Sequence, residues 1–117
     1  MKRSIARKWA KALESGEYKQ AKGALRKSGG FCCLGVLCNL HAQEHPEIAE
    51  QQKDKGSYLG QSGFLPKEVM EWVRMGSNDG ALPQQISGHW HLTGLNDGAK
   101  LTFPEIAKVI RKHWKEL

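Results

Sequence analysis

The run from Phe31 to Leu40 constrains the fold of this chain more than any other segment. Eight of its ten residues are apolar or cysteine. A helix that is apolar on nearly every side must be buried, so the run predicts a central helix that continues through His41, after a short strand at its first two residues. The Gly29-Gly30 pair before it favours a sharp entry, and Gly35 permits close packing by a neighbouring segment.

Helical periodicity predicts three further helices around this core. The first spans Ile5–Glu14, and the second begins at Pro66 and ends near Met75. The last helix begins at Thr102, which is suited to cap the helix, with Glu105 three residues later as its capping-box partner.

The remaining segments predict short strands and loops. Tyr18–Leu25 is predicted as an extended or short strand segment, Gln84–Leu95 as a strand, and the polar segment 43–56 as a second short helix or a loop. Residues 57–63, around Tyr58, are predicted as a tight hairpin or an irregular loop, and both Asn-Asp-Gly sequences, 78–80 and 96–98, as turns.

These elements predict an α+β fold. With 117 residues, of which 39% are hydrophobic, the chain supports one compact core. We therefore expect a single domain over residues 1–117, with three or four helices packed on a small, short-stranded antiparallel sheet.

Cysteine usage and hydropathy predict a cytoplasmic protein. Cys32, Cys33 and Cys38 lie within seven positions. Adjacent cysteines rarely pair, and an odd count behind a charged first segment predicts reduced thiols. No apolar run approaches the roughly 20 residues that a bilayer crossing needs, so no membrane partner is expected.

Two arrangements of reactive side chains are compatible with chemistry, but a structural role is favoured for both. Cys38, His41 and His45 have a spacing that metal ligands use, yet Pro46 ends their helix and Cys38 fits as a small hydrophobe. Cys33 would serve as a nucleophile only with a histidine base that no residue is marked to orient. Phosphate-loop, dinucleotide and metalloprotease motifs do not occur in the sequence. We therefore expect no catalysis, no cofactor and no metal.

The charge of the chain is unevenly distributed. Residues 1–27 hold nine Lys/Arg and two acids, for a net charge of +7, whereas residues 28–99 carry −4 and residues 100–117 carry +3. If the basic ends meet in the fold, they form a face that attracts an anion. Charge alone does not distinguish a nucleotide-like small molecule, a nucleic acid and an acidic protein.

Eight residues are candidates for binding an anionic, nucleotide-like ligand. Basic side chains supply charge for a phosphate, rings stack on a base, and the glycine pair after Lys27 offers backbone N–H groups. The candidates are Tyr18, Lys19, Lys22, Arg26, Trp90, His91, Asn96 and Asp97. The alternative is that the aromatic residues are half-buried in the core and that the lysines are simply solvated.

Four motifs follow one another along nearly the whole chain. They are Trp9-x3-Leu13-x2-Gly16-x-Tyr18-Lys19-Gln20, Gly30-Phe31-Cys32-Cys33-Leu34-Gly35-Val36-Leu37-Cys38, Leu65-Pro66-x2-Val69-x2-Trp72, and Leu92-Thr93-x-Leu95-Asn96-Asp97-x5-Phe103-x-Glu105-Ile106-Ala107. In this order they resemble a family of small proteins encoded by phages and prophages. The polar segment 43–55 is longer here than in the family pattern.

The resemblance implies a context, and no catalytic residue carries over with it. Small phage proteins without a cofactor commonly block a host defence complex, sequester a defence signal or modulate a host enzyme. The resemblance therefore implies a non-enzymatic antagonist of bacterial immunity in the host cytoplasm, which binds a nucleotide-derived signal or a defence protein complex. The alternative is a DNA- or RNA-binding module that uses the basic first and last helices. A homo-oligomer with sites shared between copies would also suit so short a chain.

Overall fold

The computed structural model describes residues 1–51 and 56–117, and within these ranges it is a mixed α+β domain. Its helices are α1 (Arg3–Glu14), α2 (Cys33–Glu44), α3 (Pro46–Gln51), α4 (Lys67–Val73), α5 (Leu92–Asp97) and α6 (Phe103–His113), followed by a 3-10 turn over Trp114–Glu116. Its strands are β1 (Arg26–Lys27), β2 (Gly30–Phe31), β3 (Ala81–Ile86) and β4 (His89–His91). They form two separate antiparallel hairpins, β1 with β2 and β3 with β4. The predicted α+β class is confirmed.

Helix α2 is the centre of the core, as the apolar run predicts. Leu34, Val36 and Leu37 have no exposed surface, and α1, α3, α4 and α5 all pack against this helix. Trp9 of α1 is also fully buried, and its indole N–H donates to the backbone carbonyl of Cys33 at 2.8 Å. Because other helices surround α2, most of its residues are buried, which explains its apolar composition.

Close packing at Gly35 is confirmed as well. A Cβ atom added there would lie 1.8 Å from the backbone carbonyl oxygen of Leu25. Leu25 itself is fully buried, and its N–H donates to the carbonyl of Ser62 at 2.6 Å. Three separate segments of the chain are therefore held against one another at this point.

The two basic ends of the chain meet, because α1 packs against α6. The amino group of Met1 donates to the Trp114 carbonyl at 3.1 Å. Arg111 of α6 forms an ion pair with Glu14 of α1. The condition for a shared basic face is thus met.

Local signals locate the last helix correctly. The Thr102 side chain accepts a hydrogen bond from the Glu105 N–H, and the Glu105 carboxylate accepts one from the Thr102 N–H at 3.0 Å. This reciprocal pair is the predicted capping box, and it fixes the start of α6 at Phe103.

Both predicted strands require correction. Tyr18–Leu25 holds only one isolated bridge, between Gln20 and Phe31, and is otherwise irregular. In Gln84–Leu95 the strand begins earlier and reverses at Ser87-Gly88, where both residues have positive φ. From Leu92 the chain is helical, because α5 packs its apolar residues against α2.

Two other predictions concern the second Asn-Asp-Gly sequence, 96–98, and the polar segment 43–56. Asn96 and Asp97 are the last residues of α5 and do not form a free turn. In segment 43–56 the helical alternative holds, since α3 runs to Gln51, while positions 52–55 lie outside the described residues. The two short helices α3 and α5 bring the number in the described ranges to six, above the predicted three or four.

None of the helices in the described part of the chain combines the length and the apolar composition needed to cross a bilayer.

We predict that Gly35→Ala destabilises the protein although alanine has the higher helix propensity. Propensity alone would add up to about 1 kcal/mol of stability, whereas the clash with the Leu25 backbone forces a core shift that costs roughly 1–3 kcal/mol or more. Urea denaturation measures the difference. Gly63→Ala is the control, because a Cβ at Gly63 meets nothing within 4 Å. Equal stability of the two variants would contradict the close contact.

Candidate anion-binding cleft

An open cleft of about 590 Å³ lies between the β1–β2 hairpin, α2, α3 and Tyr58. Its walls combine two basic side chains, a tight turn, two aromatic rings, one amide and small apolar groups. The lining residues are Arg26, Lys27, Ser28, Gly29, Gly30, Phe31, Asn39, Ala42, Ala49, Gly56 and Tyr58.

The hairpin places the basic residues at this cleft. Its register pairs Arg26 with Phe31 and Lys27 with Gly30. The two residues between the strands, Ser28 and Gly29, have φ values of 51° and 79°. A two-residue loop with both φ values positive matches the twist of the flanking strands, and glycine adopts such a conformation at little cost.

Arg26 is held between two of the aromatic rings at this site. Its guanidinium carbon lies 5.3 Å from the ring centroid of Tyr58 and 5.9 Å from that of Phe31. Its Nε atom is buried and has no hydrogen-bond acceptor among the described residues. Arginine does not lose its proton in proteins, and the two rings stabilise this cation. The side chain as a whole is half-buried, so an anion in the cleft would pair with the guanidinium charge.

Tyr58 forms the wall behind Arg26. It is fully buried, and its hydroxyl lies 2.6 Å from Nδ1 of His41. Burial raises the pKa of Tyr58 to about 12. The hydroxyl therefore keeps its proton at neutral pH and shares a hydrogen bond with Nδ1, in which the tautomer of His41 sets the donor.

His41 and His45 form an aromatic stack that extends from this wall. Their ring centroids are 4.1 Å apart, and Trp72 meets the His41 ring edge-on at 5.1 Å. Burial, and secondly the nearby charge of His45, lower the pKa of His41. Within residues 1–51 and 56–117, no group of three or more His, Cys, Asp or Glu side chains could hold a metal ion. The stacking of His41 and His45 and their contacts with Trp72 give these histidines a packing role.

Tyr18 supports the cleft without lining it. Its ring packs edge-to-face on Phe31 at 5.4 Å, and its hydroxyl accepts a hydrogen bond from the Asn39 amide at 2.7 Å. Tyr18 therefore positions one ring and one amide that do face the cleft. Lys19 and Lys22 are exposed and lie outside the lining, although the Lys19 carbonyl accepts from the Phe31 N–H at 2.8 Å.

Asn96 belongs to the fold. It is fully buried, and its side-chain oxygen accepts from the Gln20 amide at 2.9 Å and from the Cys33 N–H at 3.3 Å. Its amide nitrogen donates to the Ala21 carbonyl and to the Asp97 carboxylate, both at 2.8 Å. Because both polar atoms of its side chain are hydrogen-bonded within the fold, Asn96 has a structural role and is not part of the candidate ligand site.

Asp97 lines a different groove. Its carboxylate accepts a hydrogen bond from the Gly23 N–H at 3.1 Å, next to the exposed Phe64. A negative charge here does not favour an anionic ligand. Trp90 and His91 lie on β4, where Trp90 is 52% exposed and His91 is 3.5 Å from Asp79. Neither of these two lines the cleft, so of the eight candidates only Arg26 faces it.

The sequence did not indicate the importance of Phe31, Asn39 or Tyr58. Phe31 and Asn39 lie in the apolar run, which predicts core positions. Tyr58 lies in a predicted tight turn, and the structure confirms the turn through reciprocal backbone hydrogen bonds with Gln61. Nothing in that local pattern indicates that the ring is buried beneath Arg26, because the contact joins distant segments.

The cysteines do not provide a reactive centre. All three are buried and unpaired. Burial raises the pKa of Cys33 well above its usual range, and its thiol faces the Leu92 carbonyl at 3.8 Å. A thiol that keeps its proton in an apolar setting is a poor nucleophile.

The chain thus forms a small α+β domain with an arginine-centred surface cleft. The model of the DUF8296 family, described as a domain of unknown function, matches residues 1–114, and the chain belongs to this family. No curated protein matches the chain, and no solved structure does.

We predict that His41 makes the folded state less stable in mild acid. Because its folded pKa is lowered, the unfolded state binds the proton first as pH falls below about 6.5. Stability is then lost until the lower folded pKa is reached, with a slope of at most about 1.4 kcal/mol per pH unit. Urea denaturation at pH 7.5 and 5.5 measures this loss.

His41→Asn should reduce the pH-dependent loss, since the asparagine amide can donate or accept a hydrogen bond with Tyr58 and does not titrate. The control is His91→Asn at an exposed position, which should retain the wild-type difference. If His41→Asn also retained the full difference, another group would be responsible.

Proposed function

We propose that this protein is a non-enzymatic binding protein that holds a nucleotide-like anion in the Arg26 cleft. In the host cytoplasm it antagonises bacterial immunity by sequestering a nucleotide-derived signal. The observation that carries the proposal is the Arg26 guanidinium, held between two rings, with a buried Nε that lacks an acceptor among the described residues.

The cleft offers complementary groups for each part of such a ligand. Arg26, Lys27 and the backbone N–H groups of the Ser28-Gly29 turn suit a phosphate, because charge-assisted hydrogen bonds are the strong ones. Phe31 and the apolar helix surface suit a base, with the Asn39 amide for its polar edge. A volume of about 590 Å³ falls within the roughly 300–1,000 Å³ typical of small-molecule sites.

The composition of the cleft favours binding over catalysis. Its described lining contains no carboxylate, imidazole or thiol, which are the usual groups for general acid–base or nucleophilic work. The nearest imidazole, His41, is buried and engaged with Tyr58. A site whose described lining has cations and rings but no base is suited to holding its ligand unchanged.

The immune role depends on the resemblance to small phage and prophage proteins. A protein that captures a soluble signal needs affinity and no turnover, which agrees with the cleft. Blocking a host defence complex is the other form of antagonism that the resemblance implies, and the capture experiment below separates the two.

We predict that AMP and ADP bind the protein and that Arg26→Gln weakens this binding by about 10- to 100-fold. A hydrogen bond to a charged group contributes roughly 1.5–3 kcal/mol, and 1.4 kcal/mol corresponds to a factor of ten in affinity. Isothermal titration calorimetry measures the affinities. Adenosine, which lacks the phosphate, should bind at least about tenfold more weakly than AMP.

Lys67→Gln is the matched control, because it removes one positive charge from an exposed site outside the cleft. It should bind AMP as the wild type does. If Arg26→Gln and Lys67→Gln bound equally well, the cleft would not be the site.

Capture from extracts of infected cells tests the immune role. The purified protein is incubated with a nucleotide extract and with host lysate, and mass spectrometry identifies what is retained. A small anion released on heating supports sequestration, and its loss in Arg26→Gln supports the cleft. Retention of a specific protein complex instead would replace sequestration with blocking, and retention of neither would contradict the immune role.

A further inference from the structure

Helices α1 and α6 enclose a second, smaller groove, of about 210 Å³. Arg3, Ala6 and Arg7 of α1 form one side, and Arg111 and Trp114 the other. None of these residues lines the Arg26 cleft. The groove is therefore a distinct basic site, formed only because the two ends of the chain pack together.

Helical spacing directs two of its charges to the same side. Arg3 and Arg7 are four residues apart, so their side chains project from one face of α1. Neither takes part in an ion pair with another described residue. Lys8 of the same helix behaves differently, because its ammonium group is bound to Glu44 at 2.8 Å. The Lys8 charge, on the side of α1 that faces α2, is therefore neutralised by Glu44. The Arg3 and Arg7 charges in the groove have no such partner among the described residues.

The opposite side of the groove adds a half-exposed arginine and an aromatic ring. Arg111 donates from its Nε to the Glu14 carboxylate at 3.2 Å. Lys115 lies beside the groove, with its ammonium nitrogen 5.7 Å from the Trp114 ring centroid. Among the described residues these three arginines have one acidic partner, Glu14, so the groove keeps a net positive charge.

We infer that this groove binds the sugar–phosphate backbone of a single-stranded nucleic acid. Arginine forks match the geometry of phosphate oxygens. An aromatic wall beside them suits the stacking of an unpaired base, which is how single strands are bound without sequence preference. Further exposed basic residues, Lys11 and Lys108, continue the charge along both helices, as a ligand with repeated negative charges requires.

The inference concerns a separate site and goes beyond the proposed function. An acidic peptide would also be attracted by the charge, but carboxylates on flexible side chains do not make use of the ring at Trp114. The combination of cations and an aromatic wall therefore favours a nucleic acid.

Fluorescence anisotropy with a fluorescein-labelled 20-nucleotide oligo(dT) tests the inference on the full-length protein. Affinity should fall steeply as NaCl rises, since bound phosphates release counterions. Arg3→Ala/Arg7→Ala should weaken binding about tenfold or more at low salt. It should also make the slope of log K against log[salt] shallower by about 0.7 for each phosphate that the variant no longer neutralises.

Two further variants keep the test independent of folding and of total charge. Lys22→Ala/Lys67→Ala removes two charges from exposed positions outside the groove and should bind nearly as the wild type does. Arg3→Lys/Arg7→Lys keeps the charge without the forks and should give intermediate affinity. Circular dichroism melts confirm that each variant is folded.

Four results would overturn the inference. These are absence of binding at low salt, an equal loss of affinity in the double lysine-to-alanine control, duplex DNA bound as tightly as the single strand, and displacement of oligo(dT) by poly-glutamate at the same charge concentration. A selective loss of affinity in the groove variant, with the single strand preferred, would support it.

Discussion

The contact between Gly35 and the Leu25 backbone positions most of the functional surface. A buried helix that is apolar all round can bring another backbone to van der Waals distance only where it lacks a side chain. With Leu25 pressed against α2, the next residue, Arg26, begins the hairpin that returns at Phe31 and leads back into the same helix. The Leu25 N–H also donates a hydrogen bond to the Ser62 carbonyl. This bond holds the turn around Tyr58 next to the hairpin. One contact therefore brings the arginine and both of its rings together.

A second constraint comes from Asn96, which joins three parts of the chain through a single amide. It connects the irregular segment at Gln20 and Ala21 to the start of α2, from its place at the end of α5. A buried polar group is costly unless its hydrogen-bonding capacity is filled, and here it is filled by backbone and side-chain partners. Together with the single bridge between Gln20 and Phe31, this arrangement gives the irregular segment a defined path, so that Tyr18 reaches Phe31 and Asn39.

The basic residues at the helices and at the two concave surfaces differ in whether they have a carboxylate partner. Lys8 and Arg111 have carboxylate partners within the fold, and exposed pairs of this kind contribute little to stability. Arg26, Arg3 and Arg7 have no ion-pair partner among the described residues, and each lies at a concave surface with an aromatic wall. Net charge alone would not separate these groups. Arg26, Arg3 and Arg7 mark the two surfaces that we propose for anions.

Short-range signals determined much of the fold. The Thr102–Glu105 capping box, the periodicity of α1 and the apolar run of α2 all act within a few residues, so the sequence indicates them directly. The irregular path of Tyr18–Leu25 and the helix that begins at Leu92 depend on Asn96 and on packing against α2, contacts that no local pattern contains. The same difference holds for the site. The positive charge of Arg26 and of the chain ends can be read from the sequence, since charge belongs to single residues. The sequence does not show which of these charges lack a partner among the described residues, or that Tyr58 and Trp114 lie beside them, because burial and pairing depend on neighbours that are distant along the chain.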